Sequence, residues 1–196
     1  SASFNIGSVV LADAGNYTVL VSSPGVCSPV SVLSNIASVG VDAPAAIGTQ
    51  PTASQTLCVG AALNLSVSAT GTGLTYQWNK GGVPIGGATS SSYSIASVVV
   101  GDAATYTVDV TSSGVCIPAT VVSGNAVVII NTPAAIGTQP TASQTLCVGA
   151  ALNLSVVASG TAPLTYQWKK NGTDIGGATS ASFNIGSVVL ADAGNY

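Results

Sequence analysis

The sequence predicts an all-β chain made of β-sandwich modules repeated one after another. Three observations carry that prediction. Residues 1–17 (SASFNIGSVVLADAGNY) recur unchanged as residues 180–196, and repetition of this kind fixes an architecture before any strand is assigned. A shorter period lies inside the first: PAAIGTQPTASQTLCVGAALNLSV fills residues 44–67 and again, identically, residues 133–156, 89 positions on. Between these landmarks, apolar and polar residues alternate over short runs divided by Gly-, Ser- and Pro-rich turns, and helical periodicity is nowhere sustained.

The two periods fit two related modules of about 90 residues in alternation, so that the perfect repeat is a pair. Residues 1–43 read as the C-terminal part of one module, 44–132 as a complete module and 133–196 as the N-terminal part of a further one. On this expectation the chain is a window cut from a longer array, and Ser1 and Tyr196 are not natural domain ends. A module of this size can hold one core, yet gains from covalent or neighbour support.

Within the complete module each element follows from local pattern. Over residues 62–69, Leu63, Leu65 and Val67 alternate with Asn64, Ser66 and Ser68, as in a strand with one buried face. Residues 74–79 follow, with Leu74, Tyr76 and Trp78 on one face and Thr75 and Gln77 on the other. Residues 83–85 are short and interrupted by Pro84, which suits an edge strand. Tyr93 and Ile95 mark another strand, then Tyr106, Val108 and Val110 alternate with Thr107, Asp109 and Thr111. A last strand is expected over about residues 120–130, and turns at 70–73, 86–91 and 112–114. About seven short strands at this spacing predict a sandwich.

Composition excludes much chemistry. The net charge is −3, from six Asp and three Lys, with no Glu, Arg, His or Met. Nucleic-acid binding through phosphates needs clustered Lys and Arg, so no nucleic-acid partner is expected. No apolar run approaches the length of a membrane span. Charged residues make up 5% of the chain, against about 25% in ordinary domains. Two readings of that scarcity stand: a secreted protein with neutral surfaces, or strand faces covered by neighbouring chains, where charge would cost desolvation energy.

The order Gly60, Leu63, Leu65, Val67, then YQW at 76–78, IGGAT at 85–89, Tyr93, Ile95, Asp102 and Tyr106 resembles the immunoglobulin-like repeats of large bacterial surface adhesins. DAGNY at 13–17 and 192–196 shows the usual ending more plainly. The resemblance implies immunoglobulin-like β-sandwich modules in a head-to-tail tandem array. It makes Trp78 and Trp168 the core tryptophans of the third strand. It makes Tyr17, Tyr106 and Tyr196 tyrosine corners, whose hydroxyls bond backbone near a strand bend. The family's usual inter-sheet disulfide would fall on Val67 and Val108, with Val156 and Val19 in the other copies; two valines are expected to fill that space.

The four cysteines sit elsewhere. Cys58 and Cys147 precede the second strand, and Cys27 and Cys116 follow the sixth. An even count at regular positions in a secreted-looking chain favours disulfides over free thiols. Wide spacing and the lack of His argue against metal. Two pairings stay open. A Cys58–Cys116 bridge would lie inside the complete module, but sandwich geometry puts the two at opposite ends, roughly 20 Å or more apart, beyond disulfide reach. Alternatively, a staple joins each module to the next, pairing Cys58 with a cysteine past Tyr196 and Cys116 with one upstream of Ser1.

No catalytic residue or cofactor is expected. Nucleophilic catalysis normally uses a His base, and the chain has none. Asp13, Asp102 and Asp192 are one position seen three times and are expected to hold a turn. Asp42, with Asn131 as its counterpart, is too isolated for calcium. Lys80 and Lys169 are candidates for an isopeptide cross-link, but no Glu is present to assist. The N-x-S/T triplets at Asn16, Asn64, Asn153 and Asn171 are expected by chance in so Ser- and Thr-rich a chain.

The functional expectation is a structural repeat: the shaft of a long extracellular bacterial adhesin or cell-surface filament, spacing a tip from the cell. Its expected partners are further modules of the same chain and copies of itself in a fibre. Val98, Val99 and Val100 are read as exposed residues for side-by-side association. The alternative is an array of ligand-binding modules recognising glycans or surface proteins through end loops. The loops at 86–91 and 176–181 are small and bland, which counts against it.

Overall fold

The computed structural model describes residues 3–26, 30–117 and 119–196. In chain order its strands are β1 (Gly15–Tyr17), β2 (Leu20–Ser22), β3 (Ser31–Leu33), β4 (Ala37–Val39), β5 (Ala46–Thr49), β6 (Ser54–Cys58) and β7 (Leu63–Ser66). These are followed by β8 (Ser68–Thr70), β9 (Thr75–Lys80), β10 (Val83–Pro84), β11 (Ser92–Ile95), β12 (Ala104–Thr111), β13 (Thr120–Val122) and β14 (Ala126–Asn131). The last six are β15 (Ala135–Thr138), β16 (Leu152–Ser155), β17 (Val157–Ser159), β18 (Lys169–Lys170), β19 (Thr173–Asp174) and β20 (Ser182–Ile185). Single 3-10 turns occur at Leu11–Asp13, Val100–Asp102 and Leu190–Asp192, and no α-helix is present among the described residues. The chain packs as two compact units. One comprises Ser1–Gln55, Asn64–Ser94 and Ala104–Val127; the other comprises Thr56–Leu63, Ile95–Ala103 and Val128–Tyr196.

A sheet runs in the order β10, β9, β12, β14, β6, with β13 also paired to β12, and its strands β10, β9, β12 and β13 belong to the first unit. β9 and β12 are antiparallel, with Trp78 opposite Val108 and Tyr76 opposite Val110. Period-two alternation puts Tyr106, Val108 and Val110 of β12 in the core. Trp78 and Tyr106 are fully buried. Between them Tyr93 forms a ladder of rings, 6.3 Å from Trp78 and 6.0 Å from Tyr106 between centroids. Tyr76, on the same strand face as Trp78, is only half-buried. β10 is the sheet edge, where Pro84 leaves no ladder bond unmade. The tight turn into it places Gly81 and Gly82 at φ +56° and +81°. Both values lie in the left-handed region that two-residue hairpins require.

The second unit repeats the same local chemistry. Leu152, Leu154, Trp168 and Val188 form its core, with Phe183, Ile185 and Tyr196 packed against them. The ring ladder recurs as Trp168, Phe183 and Tyr196, at 6.1 and 5.7 Å. The β18–β19 turn uses Asn171 and Gly172 at φ 50° and 84°. Gln167 bridges that hairpin by donating to the carbonyls of Trp168 (2.9 Å) and Ile175 (2.8 Å). Gln77 does the same to Trp78 and Ile85 in the first unit, both at 2.8 Å.

Three expectations need correction. The run over residues 62–69 is two strands, broken at Val67, whose N–H bonds Ser91 O at 2.9 Å. The final strand is interrupted between Val122 and Ala126. There the buried Ser123 hydroxyl takes the Val108 N–H at 2.9 Å and donates to Gly124 O. Val98 is not a surface residue: it is fully buried, exchanging backbone bonds with Gly60 and Ala61, both at 2.8 Å, while Val99 and Val100 stay exposed.

Candidate functional site around Asp42 and Asn131

Asp42 and Asn131 occupy equivalent positions 89 residues apart, and conserved bonding gathers around each. At the first, Thr72 Oγ1 accepts the Ala43 N–H at 2.8 Å, and the Thr72 N–H returns to Ala43 O at 3.1 Å. The Ser112 hydroxyl reaches Thr72 O at 2.9 Å and Ala43 O at 3.2 Å. The loop after β12 then folds over Asp42. The Val115 N–H donates to its carboxylate at 3.1 Å, and Cys116 Sγ lies 3.1 Å from its backbone carbonyl oxygen. Gly114 permits this closeness, since a Cβ there would stand 2.8 Å from the Asp42 Cβ.

Beside Asn131 the same pair of bonds recurs, with Thr132 in the place of Ala43. Thr132 and Thr161 exchange bonds of 2.7 and 3.0 Å, as Ala43 and Thr72 do. Asn131 O accepts the Val59 N–H at 2.9 Å. Val59 directly follows Cys58, whose own carbonyl accepts the Ala61 N–H at 3.0 Å in a turn with Gly60 at φ +89°. Cys147 opens the same turn: its carbonyl takes the Ala150 N–H at 3.0 Å, with Gly149 at φ +90°.

Cys58, Cys116 and Cys147 are free thiols; Cys27 lies outside the described residues. No Cys58–Cys116 bridge is present. Val67 and Val108, at the positions of the absent inter-sheet bridge, are both buried. Trp78 and Trp168 are buried too, and each indole N–H donates at 2.9 Å, to Ser90 O and Ser180 O. The Tyr17 and Tyr196 hydroxyls donate to the carbonyls of Asp13 (2.7 Å) and Asp192 (2.8 Å), four residues back. Asp13, Asp102 and Asp192 each accept the N–H three residues earlier, at 2.8, 3.0 and 2.8 Å. That bond holds the 3-10 turn.

Among the described residues no cluster of three or more His, Cys, Asp or Glu side chains could hold a metal ion. Lys169 pairs with Asp174 at 3.0 Å on the surface. Lys170 donates to Ala191 O and lies 5.8 Å from the centre of the Tyr196 ring. Among the described residues Phe4 is the only aromatic in the set of exposed large apolar side chains. No helix among the described residues is long and apolar enough to cross a membrane.

No protein-family model matches the chain. A segment of 57 residues is 46% identical to a decoration protein of Escherichia phage T5, covering 29% of this chain and 35% of that protein. Solved structures of tandem immunoglobulin domains resemble it over far more of its length. Sidekick-1 immunoglobulin domains 1–4 match 95% of the chain and 54% of that structure, at TM-score 0.59 and 17% identity. An I-band fragment of titin matches 78% of the chain and 58% of that structure, at TM-score 0.56 and 17% identity. The N-terminal four Ig domains of a Dscam1 isoform match 84% and 45%, at TM-score 0.57 and 18% identity. The chain therefore spans only part of each of these relatives. At such identities the likeness establishes fold: the protein is an immunoglobulin-like β-sandwich chain.

Proposed function

We propose that the chain is a stretch of the shaft of a long extracellular adhesin or cell-surface filament of bacterial type, with modules at 1–43, 44–132 and 133–196. Its work is to set length and transmit tension. One observation carries the reading: repetition extends from sequence to the individual bonds beside Asp42 and Asn131, where the pair Ala43–Thr72 recurs as Thr132–Thr161. In such an array stability sums over modules and their junctions, and junctions built on the same bonds carry tension alike.

The surfaces support a structural part over a receptor. A binding loop draws its energy from anchors such as Trp, Tyr or Arg, and the loops at 86–91 and 176–181 contain none. Outward-facing Val127 and Ile129 on β14, and Val83 on edge strand β10, are exposed apolar residues suited to contact between parallel shafts. The likeness to a phage decoration protein fits a module displayed on the outside of a larger assembly.

Electron microscopy of native material tests this. Fibres with an axial repeat of one or two modules are expected. Isolated threads that bind a glycan array through their loops would instead establish the ligand-recognition reading.

A further inference from the structure

We propose that Cys58 and Cys147 each form a disulfide with the cysteine in the loop after the sixth strand of the following module. That partner corresponds to Cys27 or Cys116. The inference rests on the repeat continuing beyond this chain, as the shaft reading holds. The two cysteine classes lie beside equivalent carbonyl oxygens, one module apart. In the chain, the carbonyl oxygen of Asn131 accepts the N–H of the residue after Cys58, at 2.9 Å. The carbonyl oxygen of Asp42, its equivalent one repeat earlier, is touched by Cys116 Sγ at 3.1 Å. Where the module containing Cys58 is followed by another, both contacts fall on a single linker carbonyl, which has two lone pairs to receive them.

Distances then decide between the pairings. From the shared oxygen, the Cα of Cys58 lies within about 5 Å and that of the loop cysteine within about 6 Å, on standard bond lengths. The Cα–Cα separation is therefore at most about 11 Å, and an angle at the oxygen brings it into the 4.4–6.8 Å range of disulfides. A bridge from Cys58 to Cys116 would instead have to span the length from Thr120 to Asn131, roughly 35–40 Å of strand. The flanks agree. Cys116 lies between Val115 and Ile117, which are 91% and 88% exposed, and Cys147 between the exposed Leu146 and Val148. Apolar residues bracketing a surface thiol on both sides of a junction can bury one another once the sulfurs join.

Bond formation balances through a disulfide oxidant, a thiol–disulfide oxidoreductase or a low-molecular-weight disulfide. One cysteine thiolate attacks the oxidant's S–S bond and releases one of its sulfurs as a thiol. The second cysteine thiolate attacks the mixed disulfide and releases the other. The protein loses two electrons and two protons, and the oxidant is reduced to two thiols.

The repeat itself supplies the test molecule. Following residues 1–196 directly with a second copy of residues 18–196 continues the period without a seam and contains eight cysteines. The chain is oxidised in a glutathione redox buffer, its free thiols are alkylated, and it is cleaved at its aspartates without reduction and mapped by mass spectrometry, because residues 44–67 and 133–156 are identical and only fragments longer than these tell Cys58-type from Cys147-type. The proposal expects Cys58-type peptides linked to Cys27-type, Cys147-type linked to Cys116-type, and about four thiols still alkylated. Links of Cys58-type to Cys116-type, with about two free thiols, would overturn it. So would a chain with unchanged far-ultraviolet circular dichroism and no bridge at all. Mapping the native full-length protein gives the same discrimination without an engineered join. Because the readout is a single chain of three complete and two partial modules, and not a fibre, a failed staple is distinguishable from a failed filament.

Discussion

Replacing Trp78 is the most direct test of where the fold's energy resides. The side chain is fully buried, stands 6.3 Å from Tyr93, faces Val108 across the sheet and donates its indole N–H to Ser90 O at 2.9 Å. Trp78→Ala removes the ring and leaves a cavity, a change that costs about 3–5 kcal/mol in packed cores. Trp78→Phe keeps a ring against Tyr93 but loses the donor and part of the area. A neutral hydrogen bond contributes about 1 kcal/mol, and Ser90, being exposed, can turn its carbonyl to water. The Phe variant should therefore cost about 2 kcal/mol in all. A module near 90 residues has roughly 5–13 kcal/mol of stability, so Ala should remove about a quarter of it or more. Urea denaturation followed by far-ultraviolet circular dichroism is the assay, because tryptophan emission would change with the mutation itself. At about 4–8 °C per kcal/mol, Phe should lower Tm by roughly 8–16 °C. An Ala variant costing under about 1 kcal/mol would refute the aromatic ladder as the organising core. A Phe variant as damaging as Ala would show that the N–H, not the packing, dominates.

Further outcomes follow from single contacts. Tyr196→Phe deletes the hydroxyl bonded to Asp192 O at 2.8 Å and should lower stability by about 1 kcal/mol in the same urea titration. Asp192→Ala orphans the Val189 N–H and should cost about 1 kcal/mol, whereas Asp192→Asn, which retains a carbonyl acceptor, should cost measurably less. Gly71 sits at φ +146°, and a Cβ there would fall 2.8 Å from Leu74 Cδ2 and 2.9 Å from Pro44 O. Gly71→Ala should therefore destabilise by more than about 1 kcal/mol. Gly86→Ala, in open space with an ordinary φ, should stay within about 0.5 kcal/mol of the parent by thermal melting.

How much of this was legible in the sequence depends on which force placed each residue. The alternation at Leu63 and Leu65, and at Tyr106, Val108 and Val110, reported burial directly, because one strand face meets the core. β5 and β6 were not foreseen. Their residues are small, polar and interrupted by Pro51, and they are strands because partners pair with them, not through intrinsic preference. The break at Ser123 was hidden for a related reason: a hydroxyl replaces a ladder bond, and the apolar alternation runs on past it. Val98 was misread because three successive valines carry no period; the adjoining 3-10 turn decides which one points inward. For the candidate site, the sequence located the cysteines relative to the strands. It could not show that Cys116 and the residue after Cys58 contact equivalent carbonyl oxygens, since that juxtaposition is tertiary.

The strand order bears on tension in a way that composition does not. β6 and β14 are neighbours in the sheet, and the bonds Val127 N–H to Ala53 O (2.8 Å) and Val59 N–H to Asn131 O (2.9 Å) advance along both segments together. The two strands therefore run in the same direction. The chain passes Asp42 before β6 and reaches Asn131 at the end of β14, so pulling at those points loads these bonds along the strand axis. Bonds sheared in this way must fail together, whereas a hairpin opened from its end loses them one at a time. A covalent link beside the Asn131 carbonyl would tie the end of β6 to whatever follows, and force would then bypass part of the β6–β14 ladder. On this argument reduction of the staple should weaken the chain under tension more than it lowers equilibrium stability, since the bridge changes where force enters more than how much surface is buried. Single-molecule extension with and without a reductant separates the two effects: equal losses in unfolding force and in urea midpoint would remove the mechanical role.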